Sequence, residues 1–295
     1  MESEERLSKE TIDSFSAAVS DIELFVQSID IKSTVPSIDL SGSHVFDTIK
    51  EEYEFFLGHS TESKVALDNM IASITPHIHY NQGEFDFLDF GCGDGKFTQE
   101  LLSALPIRSA KNHNYLVEPN TEYLSEAGNR VACFSKSQII PSGDLNDIQD
   151  STIDIGIANH SVYYLSDLRA FLVELQRVMK PGSLFLVTLA NRENEITHIN
   201  HDLYAINRVV FPKFIAEDFA HVLESSSIYF RSKKLESELC FVDSTENRLK
   251  TIKFLTAINH GKLTNISGML RIFDSYKYSS KIRIQLNDTL FVLRF

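Results

Sequence analysis

The stretch from Phe85 to Leu102 restricts the fold more than any other part of the chain. Phe85-Asp86-Phe87-Leu88-Asp89-Phe90 is short and apolar, Gly91, Gly93 and Gly95 follow at alternate positions, and Lys96 to Leu102 has helical spacing. A buried strand that turns through glycines straight into a helix is the opening unit of a parallel α/β sheet. The alternation continues to residue 190. Strands are expected at 114–118, 131–135, 153–159 and 183–190, with helices at 121–129 and 166–182, the latter closed by Pro181-Gly182. The expected class is α/β with a Rossmann-like, mostly parallel sheet covered by helices on both faces.

The flanks are less regular. Ile12, Phe15, Val19, Ile22, Phe25, Val26 and Ile29 mark an amphipathic helix over 11–29, and residues 30–45, with Pro36, Gly42 and four serines, are a linker. A second helix is expected over 46–57, broken by Gly58. A third, over 61–74, is capped by Ser60 or Thr61 and ended by Pro76. Beyond 190 come a helix at 216–225, strands at 227–236 and 238–243, and a helix at 248–260. A closing hairpin is expected to turn at Asn287-Asp288. Three parts result: an extension over 1–45, a helical lid over 46–80, and the α/β domain over 81–295 with insertions after 190.

Charge and cysteine content narrow the class of partner. The chain carries 28 Lys and Arg against 41 Asp and Glu, a formal charge of −13. Phosphate-backbone binding calls for basic patches, so no nucleic-acid partner is expected, and an acidic surface favours a small cation. Cys92, Cys133 and Cys240 form no paired spacing, and His198, His201 and Asp202 suggest no third ligand, so no metal is expected. No run approaches the ~18 apolar residues that span a bilayer. A cytoplasmic protein, monomeric or weakly dimeric, is the expectation.

The glycine loop carries the chemistry. It lacks the GxGxxG spacing of a dinucleotide site, and Asp89 and Asp94 stand where a pyrophosphate would be repelled. S-adenosylmethionine (SAM) has no phosphate and carries an ammonium and a sulfonium, which acidic residues favour. Glu118 ends the next strand, where a carboxylate accepts hydrogen bonds from both ribose hydroxyls. The alternatives are a structural turn and a solvated loop acid.

Leu88-Asp89-Phe90-Gly91-Cys92-Gly93-Asp94-Gly95, the acid Glu118, the strand at 153–159 and the run Leu175-Gln176-Arg177-Val178-Met179-Lys180-Pro181-Gly182 together resemble the class I SAM-dependent methyltransferases over about residues 85–190. The resemblance implies a seven-stranded sheet with a reversed hairpin at its end and SAM held by Asp89, Gly91, Gly93, Gly95 and Glu118. It also implies that Asn159 borders the transferred methyl, and Asn159 is counted with the cofactor residues. Gly143-Asp144-Leu145-Asn146-Asp147 resembles the segment that meets the adenine, so Asp144 either bonds the adenine amino group or is an ordinary loop acid. It lies ten residues past the expected third strand, further than usual.

Shorter segments resemble the histamine N-methyltransferases: residues 53–62 with Phe56-Leu57-Gly58-His59-Ser60-Thr61-Glu62, residues 161–165 with Tyr163-Tyr164, residues 254–260, and residues 286–290 with Asn287-Asp288. The implied acceptor is a small amine or imidazole; the alternatives are methyl transfer to oxygen or carbon of another small metabolite, or a SAM-binding protein without catalysis. Glu62 then binds its ammonium, or merely favours the start of a helix. Asp288 stands where that family has an asparagine, and is either a second anion for the acceptor or a turn residue. His160 replaces a glutamine. It orients the acceptor or takes a proton, or else sits at the rim of the core. Tyr163 and Tyr164 either shelter the sulfonium and acceptor ring or pack a helix. His160 and Tyr163 are the catalytic candidates; Glu62, Tyr164 and Asp288 are the acceptor-binding ones.

Overall fold

A computed structural model describes residues 49–80, 85–106, 113–134, 136–140, 144–207, 214–256 and 265–295. The chain divides into two compact units, Met1–Asp39 and Leu40–Phe295, and every described residue belongs to the second. The expected helix over 11–29, the linker, Gly143 and the end of the 254–260 segment lie outside the described residues.

Two helices precede the sheet, α1 (Lys50–His59) and α2 (Glu62–Tyr80). The α/β alternation then runs β1 (Phe87–Phe90), α3 (Lys96–Ala104), β2 (His113–Val117), α4 (Thr121–Val131), β3 (Lys136–Ile140), β4 (Ile153–Asn159), α5 (Leu168–Val178) and β5 (Met179–Ala190). It is followed by α6 (Glu195–Ile206), α7 (Ala216–Glu224), β6 (Tyr229–Val242), α8 (Thr245–Thr256), α9 (Ile266–Ile272), the two-residue β7 (Lys277–Tyr278) and β8 (Lys281–Arg294). The strand order is β3-β2-β1-β4-β5-β8-β6, with β7 beside β8. Strands β1 to β5 are mutually parallel and β8 is antiparallel to both β5 and β6. Seven main strands with one reversed near the edge are what the class I resemblance implied.

Each face of the sheet has its own core. Leu168, Phe171, Leu172 and Leu175 of α5 and Phe219 and Leu223 of α7 pack on Phe90, Val117, Phe185 and Val187. On the opposite face, Met70, Ile74 and Ile78 of α2, Leu101 of α3 and Leu124 of α4 pack on Phe87, Leu116, Ile157 and Leu186. A third core forms beyond the parallel strands. There β6 and β8 run on together as a two-stranded arm covered by Phe56, Leu203, Leu255, Met269 and Phe273.

Several expected boundaries move. Helix α1 continues through Gly58 to His59, and α2 continues through Pro76 to Tyr80. An interior proline costs ~3 kcal/mol, but burying Met70, Ile74 and Ile78 stabilises the helix by ~1.5–3 kcal/mol for each side chain. The third strand is 136–140 and not 131–135, because Val131 is fully buried as the last residue of α4. Helix α5 stops at Val178, and Pro181-Gly182 lie within β5. The segments at 227–236 and 238–243 form the single strand β6.

The closing hairpin is not where the sequence suggested. Asn287 and Asp288 lie inside the unbroken strand β8, where Asp288 faces Ala190 of β5 and Leu235 of β6. Because β8 sits between two strands, both of its edges are paired and no turn fits there. The reversal is made at Ser279, whose φ is +57°.

Candidate functional site

The strand order reverses between β1 and β4: β1 leads on to β2 on one side, and β4 leads on to β5 on the other. Ligands of open α/β sheets bind at such a point, beyond the carboxyl ends of the strands. The loops after β1 and β4 meet there. Gly91 has φ +76°, and a Cβ on it would stand 2.2 Å from the Ser161 Cβ. Ser161 Oγ in turn donates to the Phe90 carbonyl. Glycine is thus required at 91 both by backbone conformation and by the approach of the β4 loop. Gly95 begins α3 against Ala127, whose Cα would lie 2.6 Å from an added Cβ.

Gly93 differs from both: a Cβ there would meet nothing within 4 Å. Its amide donates to Glu118 Oε2 at 3.1 Å, and the Asn120 amide donates to Oε1 at 2.9 Å. Asn120 itself caps α4 through the amides of Glu122 and Tyr123. Glu118 is therefore fixed at the end of β2, and burial raises its pKa against the opposing pull of the two amides. Asp89 lies beneath the loop and accepts from Thr98 Oγ1. Burial pushes it up to about 7; the Thr98 bond opposes this and the Glu118 charge adds to it. Asp94 pairs with Arg130 at 3.2 Å.

A second group lies at the end of β4 and the start of the arm. The His160 backbone has φ +53°, and its amide bonds the Thr188 carbonyl. Its Nδ1 shares a 2.8 Å hydrogen bond with Tyr163 Oη, which also accepts from the Ala190 amide at 2.7 Å. The opposite ring atom, Nε2, stands 3.7 Å from Glu62 Oε2 and 3.8 Å from Asp288 Oδ2. Glu62 is the first residue of α2, and its amide donates to Ser60 Oγ. Thr61 ties the α1–α2 corner to Glu238 of β6. Asp288 is 2% exposed and accepts from Asn194 Nδ2 at 3.0 Å. Burial pushes Glu62 up to about 7, with His160 opposing and Asp288 adding. Burial raises Asp288 as well, with His160 and Asn194 opposing.

The structure thus gathers Asp89, Gly91, Gly93, Gly95 and Glu118 on one side, and Glu62, His160, Tyr163 and Asp288 on the other. Asn159 ends β4 directly before His160, and its Oδ1 is buried with no hydrogen-bond partner among the described residues. The Tyr164 side chain lies outside the described residues. Asp144 is exposed and bonds the Asn146 amide of its own turn. With β3 ending at Ile140 it follows the strand by four residues, not ten. Arg177 holds that turn through the carbonyls of Leu145 and Ile148. Sequence reasoning missed Ser161, Asn120, Asn194 and Thr98, which position the others. Asn120 and Asn194, each a capping residue ahead of a helix, carry a readable signal.

Residues 88–187 match the family model described as a methyltransferase domain. A malonyl-[acyl-carrier protein] O-methyltransferase of Chlorobium phaeovibrioides is 29% identical over 147 residues, 48% of this chain and 55% of its own. A sterol 4-C-methyltransferase of Caenorhabditis elegans is 28% identical over 119 residues, 40% of this chain and 34% of its own. The chain thus spans about half or less of the curated relatives that it matches. Among solved structures, the [4+2]-cyclase SpnF superposes with a TM-score of 0.53 at 15% identity, covering 89% of this chain and 98% of that one. YcgJ of Bacillus subtilis superposes with 0.51 at 15% identity, covering 76% and 97%. These two likenesses speak for the fold alone. Taken together, residues 88–187 match a methyltransferase domain, and the strand order, with the glycine loop and its acid at the end of β2, is that of a Rossmann-like α/β fold.

Proposed function

We propose that this chain transfers the methyl group of SAM to a nitrogen of a small cationic amine or imidazole compound. One observation carries the choice of acceptor. Glu62, whose side chain is 15% exposed, and the buried Asp288 are two carboxylates facing one imidazole, and among the described residues no Lys or Arg forms an ion pair with either. Buried carboxylates need a counter-charge, and a cationic acceptor supplies it.

The residues around the glycine loop fit SAM. Gly93 leaves its side of the loop open, Glu118 is held by two backbone amides, and Asn159 Oδ1 lacks a partner among the described residues. In this reading Glu118 accepts from the ribose hydroxyls, Asn159 from the ammonium, and Asp144 from the adenine amino group. Asp89 supports the loop from below. SAM supplies a methyl carbon already activated by its sulfonium, so the chain has only to align the acceptor nitrogen and exclude water. Glu62 and Asp288 anchor the acceptor by charge-assisted hydrogen bonds. Tyr163 fixes the His160 ring, so that Nε2 faces the acceptor and accepts a proton where the acceptor arrives as an ammonium. Tyr164 keeps its assignment to the acceptor wall.

A second reading, methyl transfer to oxygen or carbon, is favoured by the names of the two curated relatives. Glu62→Gln separates the two. It removes the charge and keeps the shape, and a charged hydrogen bond is worth ~1.5–3 kcal/mol, so KM for a cationic acceptor should rise ~10–100-fold. An unchanged KM and kcat would remove the cationic acceptor.

A further inference from the structure

Glu62, His160 and Asp288 come from three distant segments, the first turn of α2, the loop after β4 and the middle of β8. One ligand atom from each lies within 4.8 Å of the other two. His160 Nε2 is buried and makes no hydrogen bond among the described residues; the two carboxylate oxygens stand off at 3.7 and 3.8 Å. That spacing is too long for a hydrogen bond and close to that of ligands sharing an ion. Ligand atoms ~2.0–2.2 Å from a tetrahedral zinc lie ~3.3–3.6 Å from one another, so the two His160–carboxylate pairs need only a few tenths of an ångström of closure.

The outer contacts are those of a metal site as well. A ligating histidine uses one ring nitrogen and gives the other to a fixed partner. Here Nδ1 is committed to Tyr163 Oη, and that oxygen is anchored by the Ala190 amide. Asp288 Oδ1 is taken by Asn194, which leaves Oδ2 on the His160 side. One imidazole and two carboxylates suit zinc, cobalt, manganese or iron(II). The nitrogen ligand and the small number of oxygens argue against calcium and magnesium.

We propose that Glu62, His160 and Asp288 bind one divalent transition-metal ion, at the place where the proposed acceptor cation binds, so that ion and acceptor exclude each other. Only the exclusion rests on the acceptor reading; the ion binds whether or not the chain methylates an amine.

The test is titration of the full, chelator-treated chain with Co²⁺, followed by visible absorption, and with Zn²⁺, followed by calorimetry. Wild type, His160→Gln, Asp288→Asn and Tyr163→Phe are compared. One ion per chain is expected, bound ~100-fold more weakly after loss of a ligand and ~10–100-fold more weakly in Tyr163→Phe. Far-UV circular dichroism of the metal-free samples should be the same for all four proteins and so report that each variant is folded. Absence of binding by the wild type, or equal binding by all four proteins, would overturn the site. Zn²⁺ should raise the acceptor KM and leave kcat alone; a rise in kcat would keep the site and overturn the exclusion. Metal binding without methylation of any amine would retract the acceptor reading and leave the metal site standing.

Discussion

Asp89 shows how far a single buried carboxylate depends on its surroundings. The sequence marks it as the acid heading a glycine loop, and the structure seals it under that loop with Thr98 as its hydrogen-bond donor. Burial pushes its folded pKa up to about 7, well above the usual aspartate range. A group raised on folding contributes its stability below the unfolded pKa and loses it as pH rises through the folded one. Between pH ~4 and ~7 the unfolded chain sheds a proton that the folded chain keeps, so this group's contribution falls. In urea unfolding, Asp89→Asn should therefore gain on wild type as pH rises across that window, with a constant difference above it. A difference independent of pH would mean that Asp89 ionises normally. At this scale the glycines and Glu118 were legible, because each is the last word of a strand. Asp288 was not: Asn-Asp reads as a turn, and only its pairing with both β5 and β6 puts it in a strand.

Elements were legible wherever periodicity and burial agree. Strands β1, β4 and β5 and helices α3 and α5 follow the pattern of their apolar residues. The failures share one cause, tertiary packing that overrides a local signal. Pro76 signals an end, yet the buried stripe of α2 carries the helix past it to Ile78. Replacing Pro76 by Ala should restore a backbone donor in a helix already held in place. We expect stabilisation of ~1–3 kcal/mol in thermal or urea unfolding; destabilisation would mean that the proline sets a bend needed for packing on the sheet. The contact between β1 and β4 yields a sharper test. Gly91→Ala meets Ser161 and a left-handed backbone at once. It should weaken SAM binding at least ~10-fold, since the two loops must part. Unaltered SAM affinity would show that their contact is not needed.

For the whole molecule, chain topology brings Glu62, His160 and Asp288 together. Helix α2 packs along one face of the sheet with its first turn, Glu62, above the switch point, and the β6–β8 arm delivers Asp288 to the same place. No local pattern encodes this meeting, and the sequence reached it only through a family resemblance. Because the glycine loop is joined to the loop after β4 through Gly91 and Ser161, a ligand held at the proposed SAM site braces both, and SAM should raise the melting temperature of the chain. Glu118→Ala should abolish most of that rise; an equal rise in the variant would remove Glu118 from the SAM site.

The most direct measurement follows the label from methyl-labelled SAM in a panel of paired acceptors, each imidazole or alkyl amine set beside its neutral oxygen isostere. Label on the nitrogen of the cationic member, lost ~10–100-fold in kcat/KM with Glu62→Gln, is the predicted result. Label found only on carboxyl, hydroxyl or carbon acceptors, with Glu62→Gln indifferent, would contradict it.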